Sequence, residues 1–325
     1  MVHSKNMNLE AQVRAGVIGH AIGDALGVPV EFSSRESLQK RPIRDMEGFG
    51  VHNVPAGTWS DDTSMEIALM QSLIDCGYVN YDGIMRNFGK WAYDNEFTAT
   101  GRTFDIGGTC SAAISNYLIG HKSPKNCGET GERSNGNGSL MRILPVAYIC
   151  WAQNLSDEDT FRLTRDVSAL THAHEISVAG CYIYVNFIRH LLDGDDKTEA
   201  YAKMQQHDYS MLSEETRYAY RRLLAGNIAE CEMDEISSSG YVLSSLEAAI
   251  WCLLTTEGYA TTVLKAVNLG KDTDTVGAIT GSMAGIYYGI EDMPLNWLQT
   301  LQRCDYLMEL CDDFAKTDIK VEYLR

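Results

Sequence analysis

The chain is short of proline, short of basic charge, and lacks any apolar run long enough to cross a bilayer. Six prolines in 325 residues leave most of it free to be helical. Lys and Arg total 27 against 44 Asp and Glu, for a formal net charge of −17. A nucleic-acid binder shows a basic face or stripe, so this balance argues against nucleic acid as a partner. An anionic ligand stays open, because glycine-rich turns, helix N-termini and bound cations all receive phosphate. The most apolar early run, residues 17–30, is interrupted by His20 and Asp24 and is too short to span a membrane. Residues 1–10 carry no apolar core behind a basic flank, so no secretory leader and no membrane partner are expected. Nine scattered cysteines lack metal-type spacing, which fits reduced thiols in a cytoplasmic protein rather than a zinc site.

What the chain has is helical periodicity. Apolar residues recur at three and four positions, and period-two runs of β-branched residues are scarce. The pattern predicts helices over 8–26, 63–75, 81–94, 109–118, 139–153, 160–172, 177–192, 241–256, 261–268 and 275–288. A terminal helical segment follows at 296–314. Gly16, Gly19, Gly23 and Gly27 make a small-residue face on the first helix, which suggests close backbone packing or approach to a ligand. Thr63 and Glu66 have the spacing of a capping box. Residues 193–240 are more polar and read as a helical excursion with loops. The expectation is one all-α domain over 1–325, without solenoid repeats.

Two short clusters carry the chemistry: Ser60-Asp61-Asp62-Thr63 and Asp272-Thr273-Asp274-Thr275. An acid or hydroxyl before a helix is ordinarily an N-cap. One cap needs one side chain, however, and each cluster supplies two carboxylates with flanking hydroxyls. Hard divalent cations take oxygen ligands of this kind, and neighbouring carboxylates repel unless something compensates them. Gly136-Asn-Gly-Ser139 ahead of an apolar run is the type of turn that lets backbone N–H groups approach a phosphate. Asp105 also stands before a predicted helix, where an N-cap role rivals a functional one.

Five segments occur in a telling order: Gly23-Asp-Ala-Leu-Gly-Val-Pro-Val-Glu31, Gly57-Thr-Trp-Ser-Asp-Asp-Thr63, Gly136-Asn-Gly-Ser-Leu-Met-Arg142, Thr171-His-Ala-His174 and Gly270-Lys-Asp-Thr-Asp-Thr-Val-Gly277. Together they resemble the ADP-ribosylglycohydrolase family, which includes the dinitrogenase reductase-activating glycohydrolases. The resemblance implies an all-α fold with a binuclear Mg²⁺ or Mn²⁺ centre at the bottom of a cleft. By position, Ser60, Asp61 and Asp62 would ligate one ion, Asp272 and Thr275 the other, and Asp274 both. Glu31 matches the family's glutamate near the metals, a candidate general acid/base. The Gly136, Asn137, Gly138 and Ser139 loop and His172 match ligand-contacting positions, and His174 reads as structural. Asp24 reads equally as helix-terminal or catalytic.

Asp105 lies in a Phe-Asp-Ile-Gly segment that, in arginine-directed members, sits near the cleft, where a carboxylate pairs with a guanidinium. Two departures stand out. Lys271 occupies a position where many members have a small or polar residue, and Gly108-Thr-Cys110 replaces the commoner Asn-Thr-Thr. The resemblance implies removal of mono-ADP-ribose from a protein side chain, arginine first. The alternatives are a two-metal hydrolase of another ADP-ribose derivative or phosphoester, and a non-catalytic ADP-ribose or protein binder.

Overall fold

The structure is a computed structural model that describes residues 2–321, with side chains from Leu9 onward. Both ends of the domain expected over 1–325, and the side chains before Leu9 on which the leader was judged, lie outside the described residues. Among the described residues sixteen α-helices form in chain order: α1 Val2–Gly27, α2 Arg35–Lys40, α3 Asp61–Cys76, α4 Tyr81–Asp94, α5 Gly108–Leu118 and α6 Leu144–Ala152. Then come α7 Asp157–Ser168, α8 Glu175–Leu192, α9 Lys197–Gln206, α10 Glu214–Ala219 and α11 Arg221–Leu224. The last are α12 Val242–Leu254, α13 Tyr259–Val267, α14 Thr273–Tyr288, α15 Leu295–Thr300 and α16 Cys304–Lys316. The described residues contain isolated β-bridges but no sheet, as the all-α reading expected.

Local chemistry starts and stops these helices. Asn80 caps α4 by accepting from Gly83 N, and Ser156 caps α7 by accepting from Asp159 N. Gly77 and Asn95 end α3 and α4 in the left-handed region, where a small or amide residue is least strained. The expected helix over 139–153 divides into a 3-10 turn at Leu140–Arg142 and α6. Pro145 explains the break, because proline is comfortable only in a helix's first turn.

The centre of the molecule is α1 lying antiparallel against α14, backbone to backbone. A Cβ on Gly23 would stand 2.0 Å from the Gly277 carbonyl oxygen, and one on Gly281 would stand 2.1 Å from that of Gly19. At the two ends, a Cβ on Gly27 would meet the Asp274 backbone at 2.3 Å and one on Gly285 the Ala15 carbonyl at 2.1 Å. The remaining helices wrap this pair, and one hydrophobic cluster runs from Val13 to Val321. The polar stretch 193–240 forms α9 to α11 and two 3-10 turns, and its Tyr201, Leu212, Tyr220 and Ile236 join the same cluster. No helix among the described residues is long and apolar enough to cross a membrane.

Gly23→Ala tests the central contact. Better helix propensity gains about 1 kcal/mol, while the forced backbone separation costs about 3 kcal/mol. Urea unfolding should therefore show a net loss near 2 kcal/mol. A gain would contradict the packing described.

Candidate active site

The first cluster sits on the opening turn of α3. Ser60 is the N-cap, and its hydroxyl also donates to Asp62 Oδ2 at 3.0 Å. Asp24, projecting from α1, accepts from Ser60 N at 2.9 Å, Thr63 N at 3.1 Å and Thr63 Oγ1 at 2.6 Å. Its role is thus to anchor the α3 N-terminus to α1. The capping box expected from Thr63 to Glu66 does not form, because α3 already starts at Asp61 with Ser60 as its N-cap, which puts Thr63 inside the helix. Thr63 is bound to Asp24, and Glu66 lies buried with its Oε2 3.1 Å from His20 Nδ1.

The second cluster opens α14. Asp272 is the N-cap residue, but its side chain does not cap the helix and instead accepts from Asn137 Nδ2 at 2.7 Å. Thr275 Oγ1 lies 3.4 Å from Asp62 Oδ2, which ties the two clusters together across 213 positions. Asp62 Oδ1 and Asp274 Oδ2 are buried with no hydrogen-bond partner. Carboxylate oxygens of Asp24, Asp62 and Asp274 all lie within 4.8 Å of one another, as do those of Glu31, Asp272 and Asp274. Oxygens left bare at that spacing fit a divalent cation better than any hydrogen-bond donor the chain supplies.

Glu31 reaches the same place from the turn after α1. Phe32 N donates to Lys271 O at 2.6 Å and Lys271 N to Ser33 O at 2.7 Å, so this loop is laced to the start of α14. Phe32 and Lys271 both hold positive φ, 63° and 64°. The Lys271 side chain lines a separate depression with Glu36, Asp234 and Glu235. His52, which nothing in the sequence pattern singled out, hydrogen-bonds Glu31 through Nε2 and lies 3.9 Å from Asp105 Oδ2. Phe104 packs its ring 5.0 Å from the His52 ring. Asp105 caps nothing: the N-cap of α5 is Gly107, and the Asp105 carboxylate faces the cavity.

These groups wall a cavity of about 300 Å³. Glu31, Asp61, Asp105, Asp272 and Thr275 line it together with Gly136, Asn137, Gly138 and His172. Ser60, Asp62 and Asp274 lie deeper, fully buried. Ser139 does not line it, because its hydroxyl is turned inward and lies 2.9 Å from Ser168 Oγ. His174 caps α8 by accepting from Ile176 N, the structural role expected of it. The glycines at 107 and 108 leave open space beside Asp105 where a side chain would stand.

Burial sets the electrostatics. It pushes Asp24 up to about 6, and together with the nearby Asp105 charge it pushes Glu31 up to about 10. Asp61, Asp62, Asp272 and Asp274 are raised for the same first reason, with neighbouring carboxylates adding to it. Among the described residues, His52 is the one basic side chain within 4.0 Å of a carboxylate of this cluster.

An all-helical scaffold that brings two acidic helix starts to a glycine-turned cavity defines a class of glycosidic-bond hydrolases. The family model described as ADP-ribosylglycohydrolase matches residues 5–322, and the chain belongs to that family. It is 32% identical over 303 residues to the ADP-ribosylarginine hydrolase Tri1 of Serratia proteamaculans, covering 93% of this chain and 78% of the relative. The ADP-ribosyl-[dinitrogen reductase] glycohydrolase of Rhodospirillum rubrum is 30% identical over 291 residues, covering 87% and 88%. A solved ADP-ribosylglycohydrolase-related protein complex superposes with a TM-score of 0.79 at 28% identity, over 95% of this chain and 99% of that one. The protein is an ADP-ribosyl hydrolase.

Carboxyls whose folded values are raised favour the fold while protonated and lose that contribution as pH rises through those values. The metal-free protein should therefore lose stability from about pH 4 upward, with the Asp24 step near 6. Mg²⁺ should raise the thermal midpoint more at pH 8 than at pH 5, measured against an EDTA control. Equal shifts at the two pH values would contradict a cation held by this cluster.

Proposed function

We propose that this protein is a divalent-metal-dependent ADP-ribosylhydrolase that frees mono-ADP-ribose from a modified protein side chain, arginine above others. The observation that carries the reading is the pair of bare, buried oxygens, Asp62 Oδ1 and Asp274 Oδ2, between two helix starts. Ser60, Asp61 and Asp62 would hold one Mg²⁺ or Mn²⁺, Asp272 and Thr275 a second, with Asp274 between them. Bound cations would supply the positive charge that orients ribose hydroxyls and acidifies water. The −17 chain would thereby hold an anionic substrate without a basic pocket.

The chain's own groups divide the remaining work. Glycosidic cleavage builds positive charge at the anomeric carbon and needs a proton for the leaving group. Glu31, kept protonated by burial and by Asp105, is the acid available at the cavity wall. His52 holds the Glu31 carboxyl in place, and Asp105, on the cavity wall, would pair with a departing guanidine. The Gly136–Gly138 turn offers close backbone approach to the pyrophosphate. We take the chain as one domain acting in the cytoplasm on an ADP-ribosylated protein, with ADP-ribose as product.

Incubation with an ADP-ribosylated arginine substrate and Mg²⁺ or Mn²⁺ should release intact ADP-ribose. AMP or phosphate as product, or no release with either metal, would overturn the reading. Asp62→Asn and Asp274→Ala should each lower kcat at least about 100-fold while far-UV circular dichroism stays helical. Near-wild-type turnover in either variant would remove the metal roles of both clusters. His52→Ala should lower kcat about 10-fold or more, with His52→Gln recovering part of it. Equal loss in both would mean that the ring does more than hold Glu31.

A further inference from the structure

Arg142 is a buried cation without a counter-ion. Its side chain is 0% exposed, and it makes no ion pair among the described residues. Its guanidinium carbon lies 4.8 Å from the centre of the Phe88 ring. Nη2 donates to Val167 O at 3.3 Å and to Thr171 Oγ1 at 2.8 Å, while Nε and Nη1 have no partner. Burying a charge this way is expensive, and an apolar side chain of like size commonly serves stability as well or better. The sequence order Gly136 to Arg142 ties this residue to the cavity turn, yet the guanidinium itself does not reach the cavity.

What it reaches is His172. Thr171 Oγ1 lies 2.8 Å from His172 Nδ1. Arginine can only donate, so the Thr171 oxygen accepts from it. The guanidinium charge then favours the hydroxyl proton on the far side of that oxygen, toward Nδ1. A ring nitrogen that accepts there carries no proton, which leaves the proton on Nε2. The Nε2 edge faces the cavity: a Cβ on Gly136 would stand 3.6 Å from Nε2, and one on Gly138 3.4 Å. The backbone fixes the ring's position as well, since His172 N donates to Ser168 O at 2.9 Å and Ser168 Oγ to His172 O at 3.0 Å. Burial, aided by the Arg142 charge, pushes His172 down to about 3, so the ring is neutral at working pH.

We propose that Arg142, acting through the Thr171 hydroxyl, is a positioning residue that sets His172 with its proton on Nε2. His172 thereby presents one directed N–H donor to an acceptor atom of the bound ADP-ribose. A protonated ring or the other tautomer would offer that acceptor either a buried charge or a lone pair. The relay concerns binding rather than bond cleavage, and the ligand rests on the function proposed above.

The test uses the full chain with ¹⁵N-labelled histidine, the His172 signals being assigned by their loss in His172→Gln. In wild type the ring shifts should report a single neutral form protonated at Nε2. Arg142→Met keeps the volume and removes the buried charge, so it should fold at least as stably. It should nonetheless populate the Nδ1-protonated form, because the freed hydroxyl can turn and accept. ADP-ribose affinity by calorimetry should weaken about 10-fold, with KM raised and kcat held. Thr171→Val should weaken affinity by a similar factor, and Thr171→Ser should restore it. An Nδ1-protonated ring in wild type overturns the proposal. So does wild-type affinity in a folded Arg142→Met or in Thr171→Val. Wild type failing to bind ADP-ribose would overturn the functional reading instead, while the ring shifts of the free protein still decide the tautomer.

Discussion

The structure depends on the backbone contact between α1 and α14. Asp24 extends from one helix and Asp274 and Thr275 from the other, so their meeting follows from how closely the two axes run. Each glycine forfeits about 1 kcal/mol of helix propensity, a cost that makes sense only where a Cβ would collide with the backbone of the opposite helix. At Gly27 the collision would be with Asp274 itself. The same contact fixes the floor of the cavity and the spacing of the carboxylates above it.

On that floor the chain concentrates what folding ordinarily avoids. Carboxylates with raised proton affinity crowd together, two of their oxygens lack partners, and Phe32, Asp105 and Lys271 hold left-handed backbone around them. Strain and unsatisfied polarity gathered in one place are signs of a site maintained for chemistry rather than stability. The compensation lies in the surroundings. Asp24 ties α3 to α1, Asn137 ties the glycine turn to Asp272, and the Glu31 loop is hydrogen-bonded to Lys271.

Much of this was legible in the sequence, and the failures share a cause. Period and caps found α4 at its exact bounds and most other long helices within a few residues. That the acidic clusters, Glu31, Asp105 and His172 gather at one cavity could be anticipated because each lies in a short local motif. The capping box at Thr63 failed because Ser60, held by Asp24 from a helix distant in sequence, starts α3 two residues earlier. The helix over 139–153 failed because Pro145 marks a start where apolar periodicity showed no break. His52 is a lone histidine in a loop, and its pairing with Glu31 exists only in three dimensions. Arg142 was visible inside a motif, but its line through Thr171 to His172 depends on burial that no spacing encodes.

The central claim is that two acidic helix starts, held together by the α1–α14 contact, form one divalent-cation centre. Equilibrium dialysis with Mn²⁺, followed by electron paramagnetic resonance, measures it without reference to any substrate. The account predicts two Mn²⁺ per chain with spin coupling between them, and loss of that coupling in Asp274→Ala. Absence of stoichiometric binding, or coupling unchanged in Asp274→Ala, would contradict it.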